Sequence, residues 1–444
     1  MKRSKQVLWL SYYAPPMGGS GVQRPVKFAK YLAKLGWTLH WVCPKEGSYP
    51  YRDEGLMQDL DSDRIHVHRV GGGTPQHSIL GRWIQSIYYA LPASLAARLN
   101  SWLYFPDNKV GWARDAHATA LELISTHQIP LIFVTGPPFS SFSLATSLAE
   151  ETGAKLVLDL RDDWLENQFH QYATASRRTQ MAKLEQQVLS KADAIAVIND
   201  HTRSSLAKRH PTLAQRMSVI HNGFDPEDFI GKNEALKQVH QQRGDSSNTP
   251  QSITPDSIWL YNGLFYRQQD PSDVLKGFVR YTQDTPDSPI QFVIQGDDGK
   301  RYRGVVQQVQ DRFEWKGYLS HEASLQGVMQ ADVLWLHLSA MRHIDRVTPG
   351  KLFEYMGSGK PIFATIPEGV TAELLRQYGP VSIVHSTRPE EIAKAVRLFE
   401  QQRQHGSLPP VNKSFVESFD RQHLTHSLRS EERRVGKECR SRWS

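Results

Sequence analysis

The chain has 444 residues, of which 39% are apolar and 22% are charged, with a formal net charge of +7. This length suits two folded domains, and the composition is that of an ordinary globular protein rather than a disordered or fibrous one. No apolar run reaches the roughly 20 residues that a membrane-spanning helix needs. The small charge, without basic runs, gives no indication of nucleic-acid binding.

The N-terminus, MKRSKQVLWLSYYAPP, is basic and then apolar, as a signal peptide is. Its apolar run is short and no small-residue cleavage site follows, so we interpret it as the first strand of a cytoplasmic protein. Short apolar runs then alternate with segments of helical spacing such as VQRPVKFAKYLAKLG. The runs predicted as strands in the first half are VLWLSYY, TLHWVCP, RIHVHRV, LIFVTG, KLVLDLR, AIAVIND and MSVIHNG.

The first predicted strand leads into a glycine-rich loop, YYAPPMGGSGVQR, which contains Gly18, Gly19 and Gly21 ahead of a predicted helix. Backbone N–H groups in such a loop can approach an anion at the helix start. The spacing fits neither the Rossmann G-x-G-x-x-G pattern nor a P-loop. A glycine-rich turn without a ligand is therefore an equal alternative.

Residues 78–105, SILGRWIQSIYYALPASLAARLNSWLYF, combine arginines with many aromatic residues. This composition favours a segment that rests on a membrane surface. A pair of helices packed on the first domain is the alternative.

Two further candidate sites lie where predicted strands of the first half end. In LDLRDDWLE, Asp162 and Asp163 follow Arg161, and paired carboxylates can serve acid–base or metal chemistry. The alternative is that one of them caps the next helix. In VIHNGFDPEDF, Asn222 begins an Asn-Gly turn, which is either a ligand contact or a plain turn with Asp225 as its cap.

A polar segment at residues 231–257 predicts a linker between two domains. We place one domain at 1–230, a second at 258–400, and a C-terminal helical segment at 401–428 that packs back on the first domain. The predicted strands of the second half are SIWLYNG, IQFVIQG, FEWKGYL, DVLWLHLS, PIFATI and VSIVHS. Apolar strands alternating with helices predict an α/β protein of two doubly wound domains. Because ligands of such sheets bind at the carboxyl ends of the strands, we expect the two domains to face a central cleft.

The stretch VTPGKLFEYMGSGKPIF places Gly350, Lys351 and Glu354 at the start of a predicted helix. A helix start with an added ammonium favours a phosphate, and Glu354 lies about one turn further on, where it can reach a pair of sugar hydroxyls. The alternative is a capped helix with a Lys351–Glu354 surface ion pair. Arg267, in YNGLFYRQQDP, is either a second cation of this site or a surface arginine.

Residues 429–444 do not fit the rest of the chain, because nine of the sixteen are charged and no apolar period runs through them. They resemble the translation of a common sequencing-library adapter, so we treat them as non-native, with a basic disordered tail as the alternative. Without their six Lys/Arg and three Asp/Glu the net charge falls from +7 to +4. Cys43 is then the one cysteine left, which suits a reducing compartment. No histidine motif predicts a protein-held metal.

Several phrases, taken together, resemble one enzyme family. They are YYAPPMGGSGVQRPVKFAKYLAKLGW, FPDNKVGW, VTGPPFSSF, LDLRDDW, VIHNGFDPEDF and PGKLFEYMGSGKPI. They are similar to retaining glycosyltransferases of family 4, which serve bacterial polysaccharide assembly and have the GT-B fold of two Rossmann-like domains. The resemblance implies transfer of a sugar from a nucleotide-sugar donor to a growing, lipid-linked glycan. It further implies a place in the cytoplasm or on the inner face of the membrane, and no cofactor.

The resemblance also implies roles for individual residues. Arg267 and Lys351 would neutralise the diphosphate, Glu354 would hold the ribose hydroxyls, and Asp162 would contact the donor sugar or the acceptor. The implied donor-binding residues are Gly18, Gly19, Gly21, Asn222, Gly317, Leu319, Gly350 and Glu354, and the implied catalytic residues are Arg267, Lys351 and Asp162.

Two positions depart from the family pattern. The first glutamate of its E-x7-E motif is Arg346 here, and a histidine common before Asp162 is Arg161, so recognition of the donor sugar must differ. A sugar-nucleotide epimerase or hydrolase of the same fold, and a nucleotide-sugar-binding protein without turnover, are the alternatives. Release of free nucleoside diphosphate only in the presence of an acceptor would separate transfer from both.

Overall fold

The computed structural model describes residues 5–47, 49, 51–71, 93–168, 172–229, 257–266 and 269–438, and every structural statement below refers to these. The chain divides into two compact units, which we describe separately. Unit 1 comprises Met1–Asn222 and Arg421–Ser444, and unit 2 comprises Gly223–Asp420.

Unit 1 is built on a parallel sheet whose strands all coincide with predicted apolar runs. They are β1 (Gln6–Leu10), β2 (Thr38–Cys43), β3 (Ile65–Arg69), β4 (Leu131–Gly136), β5 (Lys155–Leu160), β6 (Ala194–Val197) and β7 (Met217–Val219). Their order in the sheet is β3-β2-β1-β4-β5-β6-β7, so the direction of winding reverses between β1 and β4. Such a reversal opens a crevice beyond the carboxyl ends of the two strands.

Helices cover both faces of this sheet because its strands are apolar on both sides. They are α1 (Ser20–Lys34), α2 (Ala93–Leu103), α3 (Val110–His127), α4 (Ser140–Thr152), α5 (Ala175–Lys191) and α6 (Asp200–Arg209), with 3-10 helices at Glu54–Leu60 and Pro211–Arg216. One core cluster joins α3, α4 and the β1–β4–β5 strands, and a second places α1 against the opposite face.

Unit 2 repeats this plan. Its strands are β8 (Ser257–Asn262), β9 (Ile290–Gln295), β10 (Phe313–Gly317), β11 (Val333–His337), β12 (Ile362–Thr365) and β13 (Val381–Val384). Their order is β10-β9-β8-β11-β12-β13, all parallel, with the reversal between β8 and β11. All six coincide with predicted runs.

The helices of unit 2 follow the strands in alternation. They are α7 (Ser272–Asp284), α8 (His321–Gln330), α9 (Gly350–Ser358), α10 (Val370–Tyr378), α11 (Pro389–Gln404) and α12 (Lys413–Glu417), with 3-10 helices at Pro226–Phe229, Gln307–Arg312 and Ile344–Arg346.

Unit 1 ends at Asn222, earlier than the predicted domain end at residue 230. The physical reason is that Phe224 and Phe229 are buried in the core of unit 2. Most of the predicted linker, 231–257, lies outside the described residues, and Ser257 already belongs to β8.

The last helix, α13 (Arg421–Glu438), belongs to unit 1. Leu424 and Leu428 pack in the cluster that contains Trp9 and Val26, so the C-terminal segment forms part of the core around β1 and α1. The helix extends into residues 429–438, and the non-native origin of that segment stays a prediction. Among the described helices, none combines the length and apolar character that crossing a bilayer requires.

Candidate functional site

Glycines line the edge of the unit 2 sheet beside the point of reversal. Gly263 follows β8, Gly296 follows β9 and Gly317 ends β10, with φ angles of 140°, 97° and 65°. The N–H of Gly263 donates to Gln295 O at 2.8 Å, and the N–H of Gly296 donates to Gly317 O at 2.7 Å. A Cβ on Gly296 would lie 2.7–2.9 Å from backbone atoms of Gly263. Because only glycine tolerates these angles and this approach, bare backbone borders the crevice.

The predicted helix after β11 is confirmed as α9. Pro349 precedes it, and Gly359, with a φ of 72°, ends it as a left-handed C-cap. Among the described residues, no side chain caps the start of α9, and a Cβ on Gly350 would meet no atom within 4 Å. The first turn therefore leaves open backbone around its N–H groups, as an anion-binding helix start requires.

The Lys351 ammonium lies over an aromatic ring rather than beside a carboxylate. Its Nζ is 3.9 Å from the centroid of the Tyr261 ring. A Cβ on Gly263 would lie only 2.4 Å from this Nζ, so the glycine makes the space that the ammonium occupies. Within the described residues Lys351 forms no ion pair, and the predicted alternative of a Lys351–Glu354 surface pair is therefore wrong.

Burial lowers the pKa of Lys351 to about 7, and the attraction of Glu354 opposes this shift only in part. An ammonium that is desolvated and has no counter-ion gains from the approach of an anion. Strongly perturbed pKa values of this kind are typical of functional sites. The half-buried Glu354 carboxylate has no hydrogen-bond partner in the described part of the chain, so its oxygens are available to a ligand.

Tyr355 fixes the position of α9. Its side chain is fully buried, and its hydroxyl donates to Trp335 O at 3.3 Å and accepts from Asn262 N at 2.8 Å. Asn262 Oδ1 in turn accepts from Ser324 Oγ at 2.7 Å. Residues four apart share a helix face, so anchoring Tyr355 to the ends of β8 and β11 also positions Lys351.

Sequence reasoning missed a second group at this edge, around His337 at the end of β11. Burial lowers the pKa of His337 to about 4, so its ring is neutral. Nε2 lies 3.2 Å from Asp270 O, which can only accept, so Nε2 carries the hydrogen and Nδ1 faces Thr365 Oγ1 at 3.0 Å. Gln269 Oε1 accepts from Ser339 N at 2.7 Å. These bonds tie the loop after β8 to the loop after β11. The polar residue that ends the apolar run VLWLHLS was the available signal.

In unit 1, the predicted glycine loop is held by Arg161. Pro25 has no N–H, so it leaves the Gly21 carbonyl without its helical partner. Arg161 Nη1 donates to that carbonyl, while its other nitrogens donate to Pro137 O and to Gly136 O. Arg161 therefore joins the start of α1 to the loop after β4, a structural role that the sequence did not reveal.

Gly18 and Gly19 differ in how accessible their backbone is to a ligand. The Gly18 N–H donates to Tyr51 O at 2.9 Å and is thus already used. Gly19 is the N-cap of α1 with a φ of 98°, and a Cβ on it would meet nothing within 4 Å. Gly19 is accordingly the more open of the two predicted contacts.

The structure distinguishes Asp162 from Asp163, which were equivalent candidates from the sequence alone. Asp163 forms an ion pair with Arg209 at 2.6 Å and accepts from Ser205 Oγ at 2.6 Å and from Glu166 N at 3.0 Å. Asp163 thus has a structural role in the turn at Glu166, but within the described residues it caps no helix, because the next helix, α5, has Thr174 as its N-cap. Burial raises the pKa of Asp162 to about 6, although the charge of Arg161 opposes the shift. Asp162 is the member of the pair with a strongly perturbed pKa, and its role stays a prediction.

The remaining predicted residues are distributed as follows. The carbonyl of Asn222 accepts from Arg421 Nε at 3.0 Å, and Asp225 Oδ1 accepts from Glu227 N at 3.0 Å, which confirms Asp225 as a turn cap. Leu319 is half-buried, two residues beyond Gly317. Arg267 lies outside the described residues, and its role stays a prediction.

Comparison with known proteins finds one family model that matches part of the chain and several solved structures of similar fold. Residues 21–228 match the family model described as Glycosyltransferase Family 4. No curated protein sequence matches the chain significantly. Anabaena HepE in complex with UDP and glucose has a TM-score of 0.62 at 13% identity, covering 96% of this chain and 98% of that one.

Two other solved structures are similar over comparable lengths. Sucrose-phosphate synthase of Thermosynechococcus elongatus has a TM-score of 0.65 at 14% identity, covering 98% of this chain and 99% of that one. The apo form of the lipopolysaccharide outer core galactosyltransferase WaaB has a TM-score of 0.55 at 13% identity, covering 96% and 98%. The predicted GT-B fold of two Rossmann-like domains is confirmed. Together with the family match, the likeness supports a glycosyltransferase family.

Proposed function

We propose that this chain transfers a hexose-type sugar from a nucleotide-sugar to a growing, lipid-linked glycan, with retention of the anomeric configuration. The observation that carries the proposal is the Lys351 ammonium, which lies over Tyr261 at the start of α9 and has no ion-pair partner among the residues that the structure describes. Such a cation beside bare glycine backbone suits a diphosphate. The structural relative HepE, which is described in complex with UDP and glucose, makes a uridine nucleotide the first donor to try.

In this proposal each residue contacts a different part of the donor. Lys351 neutralises the diphosphate beside the Gly350 backbone, and Arg267 supplies a second positive charge. Glu354 accepts hydrogen bonds from the ribose hydroxyls, and Asp162 contacts the donor sugar or the acceptor. The further donor contacts are Gly18, Gly19, Gly21, Asn222, Gly317 and Leu319.

The proposed reaction requires charge stabilisation more than a base. The bond from the anomeric carbon to the diphosphate oxygen breaks, and its electron pair stays on that oxygen. The acceptor hydroxyl oxygen bonds to the anomeric carbon on the same face, and its proton passes to the departing phosphate oxygen. Because negative charge grows on the phosphate, a preorganised ammonium such as that of Lys351 lowers the barrier. The proposal assigns this charge to side chains of the protein and to no protein-held metal.

The direct test measures nucleoside diphosphate release from UDP-sugars, with and without a panel of lipid-linked glycans. Transfer predicts release that depends on the acceptor and persists in a metal chelator, with the new bond keeping the donor's anomeric configuration by NMR. Release without acceptor would identify a hydrolase, and tight donor binding without any release would identify a binding protein.

The pKa of Lys351 gives the proposed donor site a pH dependence. Diphosphate favours the ammonium form, so binding above the free pKa of about 7 must take up a proton. The affinity for UDP should therefore be flat at lower pH and fall by up to about tenfold per unit above pH 7. Calorimetric titration from pH 5.5 to 9 measures this. Lys351→Met is the control that isolates the ionisation of the ligand itself, whose last phosphate proton has a pKa of about 6. An identical pH profile in the variant would contradict the assignment.

We also propose that unit 1 docks on an anionic membrane on the cytoplasmic side. On α2, the side chains of Trp102 and Leu103 are 64% and 48% exposed, and Leu95 and Leu99 are exposed beside them. Arg98, on the same helix, is exposed as well. Apolar side chains next to a cation are suited to the interface of an anionic bilayer. Residues 78–92, the first part of the predicted surface segment, lie outside the described residues.

Vesicle sedimentation tests the docking. The chain should bind phosphatidylglycerol vesicles more strongly than phosphatidylcholine vesicles, and Trp102→Glu should weaken this by about tenfold or more, because an apolar anchor is replaced by a charge. Leu398→Glu is a matched control, since Leu398 is 57% exposed on unit 2. Equal loss in both variants, or no vesicle binding by the wild type, would rule the docking out.

A further inference from the structure

Lys109 repeats in unit 1 the arrangement that Lys351 has in unit 2. Lys351 is the second residue of α9, with its Nζ 3.9 Å from the ring centroid of Tyr261, in the first strand of the unit 2 sheet. Lys109 immediately precedes α3, with its Nζ 4.8 Å from the ring centroid of Tyr12, just beyond β1. Each unit thus places one ammonium over a tyrosine at the carboxyl end of its first strand.

The carboxylate of Asp107, two residues before Lys109, attracts the ammonium but forms no ion pair with it within the described residues. Both oxygens of Asp107 are engaged, since they accept from the Lys109 N–H, the Ser140 N–H and the Ser140 hydroxyl, each at 2.8 Å. No ion pair of the Lys109 ammonium occurs within the described residues. Burial lowers the pKa of Lys109, and the charge of Asp107 only partly opposes this. The cation is thus partly stripped of water without gaining a counter-ion.

The position of Lys109 is energetically unfavourable, and packing alone does not explain why a lysine occupies it. A cation at a helix N-terminus opposes the helix dipole, and a desolvated ammonium loses hydration energy. The ring of Tyr12 offsets some of this, and Trp112 holds that ring from the side, with centroids 5.4 Å apart. Groups kept in a charged and unfavourable environment are typical of binding sites.

A second positive charge lies on the same loop. The Arg161 guanidinium is 5.4 Å from the ring centroid of Tyr13, and the rings of Tyr12 and Tyr13 are 5.4 Å apart. Its hydrogen bonds go to backbone carbonyls, and Asp159 and Asp162 are the carboxylates whose charges act on it. The crevice edge of unit 1 therefore carries two cations over two adjacent tyrosines, and Asp162 is the neighbouring negative group.

We propose that Lys109, seated on Tyr12, binds an oxyanion carried by the acceptor, either a phosphate of its lipid carrier or a carboxylate of an acidic sugar. The identification of the ligand as the acceptor rests on the proposed function. The expectation that this ligand carries an oxyanion rests on the geometry of unit 1 alone. The inference predicts an anionic acceptor, because a neutral glycan would leave the Lys109 charge uncompensated.

The test measures modification of lysines by an acylating reagent at pH 8 in the full chain, resolved by mass spectrometry. The two probes are inorganic pyrophosphate and glucuronate, with sodium chloride matching the ionic strength. A probe at about nine times its Kd should slow the labelling of Lys109 by about tenfold. Lys155, which pairs with Asp193 at 2.9 Å, is the matched lysine that should be unaffected. Protection by pyrophosphate points to the carrier phosphate, and protection by glucuronate points to an acidic sugar.

A variant separates binding from packing. In a Lys351→Met background, which removes the proposed donor cation, pyrophosphate should still raise the melting temperature, and adding Lys109→Met should abolish that rise. Lys109→Met without probe should leave the melting temperature unchanged or higher, because it keeps the packing and removes the unpaired charge. The proposal is overturned if neither probe protects Lys109, if Lys155 is protected equally, or if Lys109→Met lowers the melting temperature and leaves the pyrophosphate response intact. No nucleotide enters either measurement, so failure here is distinct from failure of the donor assignment.

Discussion

Replacing Lys351 by methionine should lower kcat by about 10²–10³ while the fold is retained. The ammonium has no counter-ion among the described residues and stands at the open start of α9, where charge would grow on the departing diphosphate. An interaction that strengthens as the bond breaks affects turnover more than ground-state binding. The loss in kcat should therefore exceed the loss in UDP affinity.

Two control measurements accompany this prediction. Methionine fills the space of the lysine stem without a buried charge, so the melting temperature of Lys351→Met should equal or exceed that of the wild type. Lys276→Met, at an exposed lysine that pairs with Asp273, should change neither rate nor stability. Wild-type turnover in Lys351→Met would remove the observation on which the proposed function depends.

Glu354→Ala should weaken UMP, UDP and intact UDP-sugar by a similar factor of about tenfold or more, as expected for one charge-assisted hydrogen-bonding site. The carboxylate lies one turn beyond the helix start and has no hydrogen-bond partner in the described structure. A ribose contact is common to all three ligands, whereas a phosphate contact is not. Glu354→Gln keeps one acceptor oxygen and should lose less.

Calorimetric titration of the three ligands decides the role of Glu354. The control is Glu314→Ala on β10, whose carboxylate lies 3.7 Å from Lys316 at the surface and should leave affinity unchanged. Weakening confined to UDP and UDP-sugar would place Glu354 near the phosphates instead. Wild-type affinity for all three ligands would take it out of the donor site.

The sequence predicted the strands and the opening of α9 because these depend on local patterns. Runs such as VLWLSYY and PIFATI are apolar enough to be strands in any parallel sheet, and Pro349 with Gly359 brackets α9 by local chemistry. The boundary between the compact units lies at Asn222 rather than at residue 230 because the burial of Phe224 depends on partners nearly two hundred residues away, such as Phe419.

The sequence placed Gly350, Lys351 and Glu354 at a helix start but did not predict their contacts. Lys351 and Glu354 are three residues apart, so a surface pair was the alternative to a donor site, and only the fold shows that Tyr261 lies under the ammonium. Arg161 likewise depends on Pro25, which lies far from it in sequence and leaves the Gly21 carbonyl free. Patterns along the chain predict which elements form, whereas distances across a sheet edge require the folded structure.

The return of the last helix to unit 1 has a consequence for dissecting this protein into fragments. Leu424 and Leu428 pack against the same core as Trp9, while Arg421 binds the carbonyls of Asn222 and Gln23. A recombinant fragment ending at residue 222 would expose that apolar wall and invite aggregation. Unit 1 is better isolated with residue 222 joined to residue 421 through a short glycine-serine tether, because Arg421 Nε lies 3.0 Å from the Asn222 carbonyl oxygen. Unit 2, whose residues 223–420 are continuous, can be cut out directly.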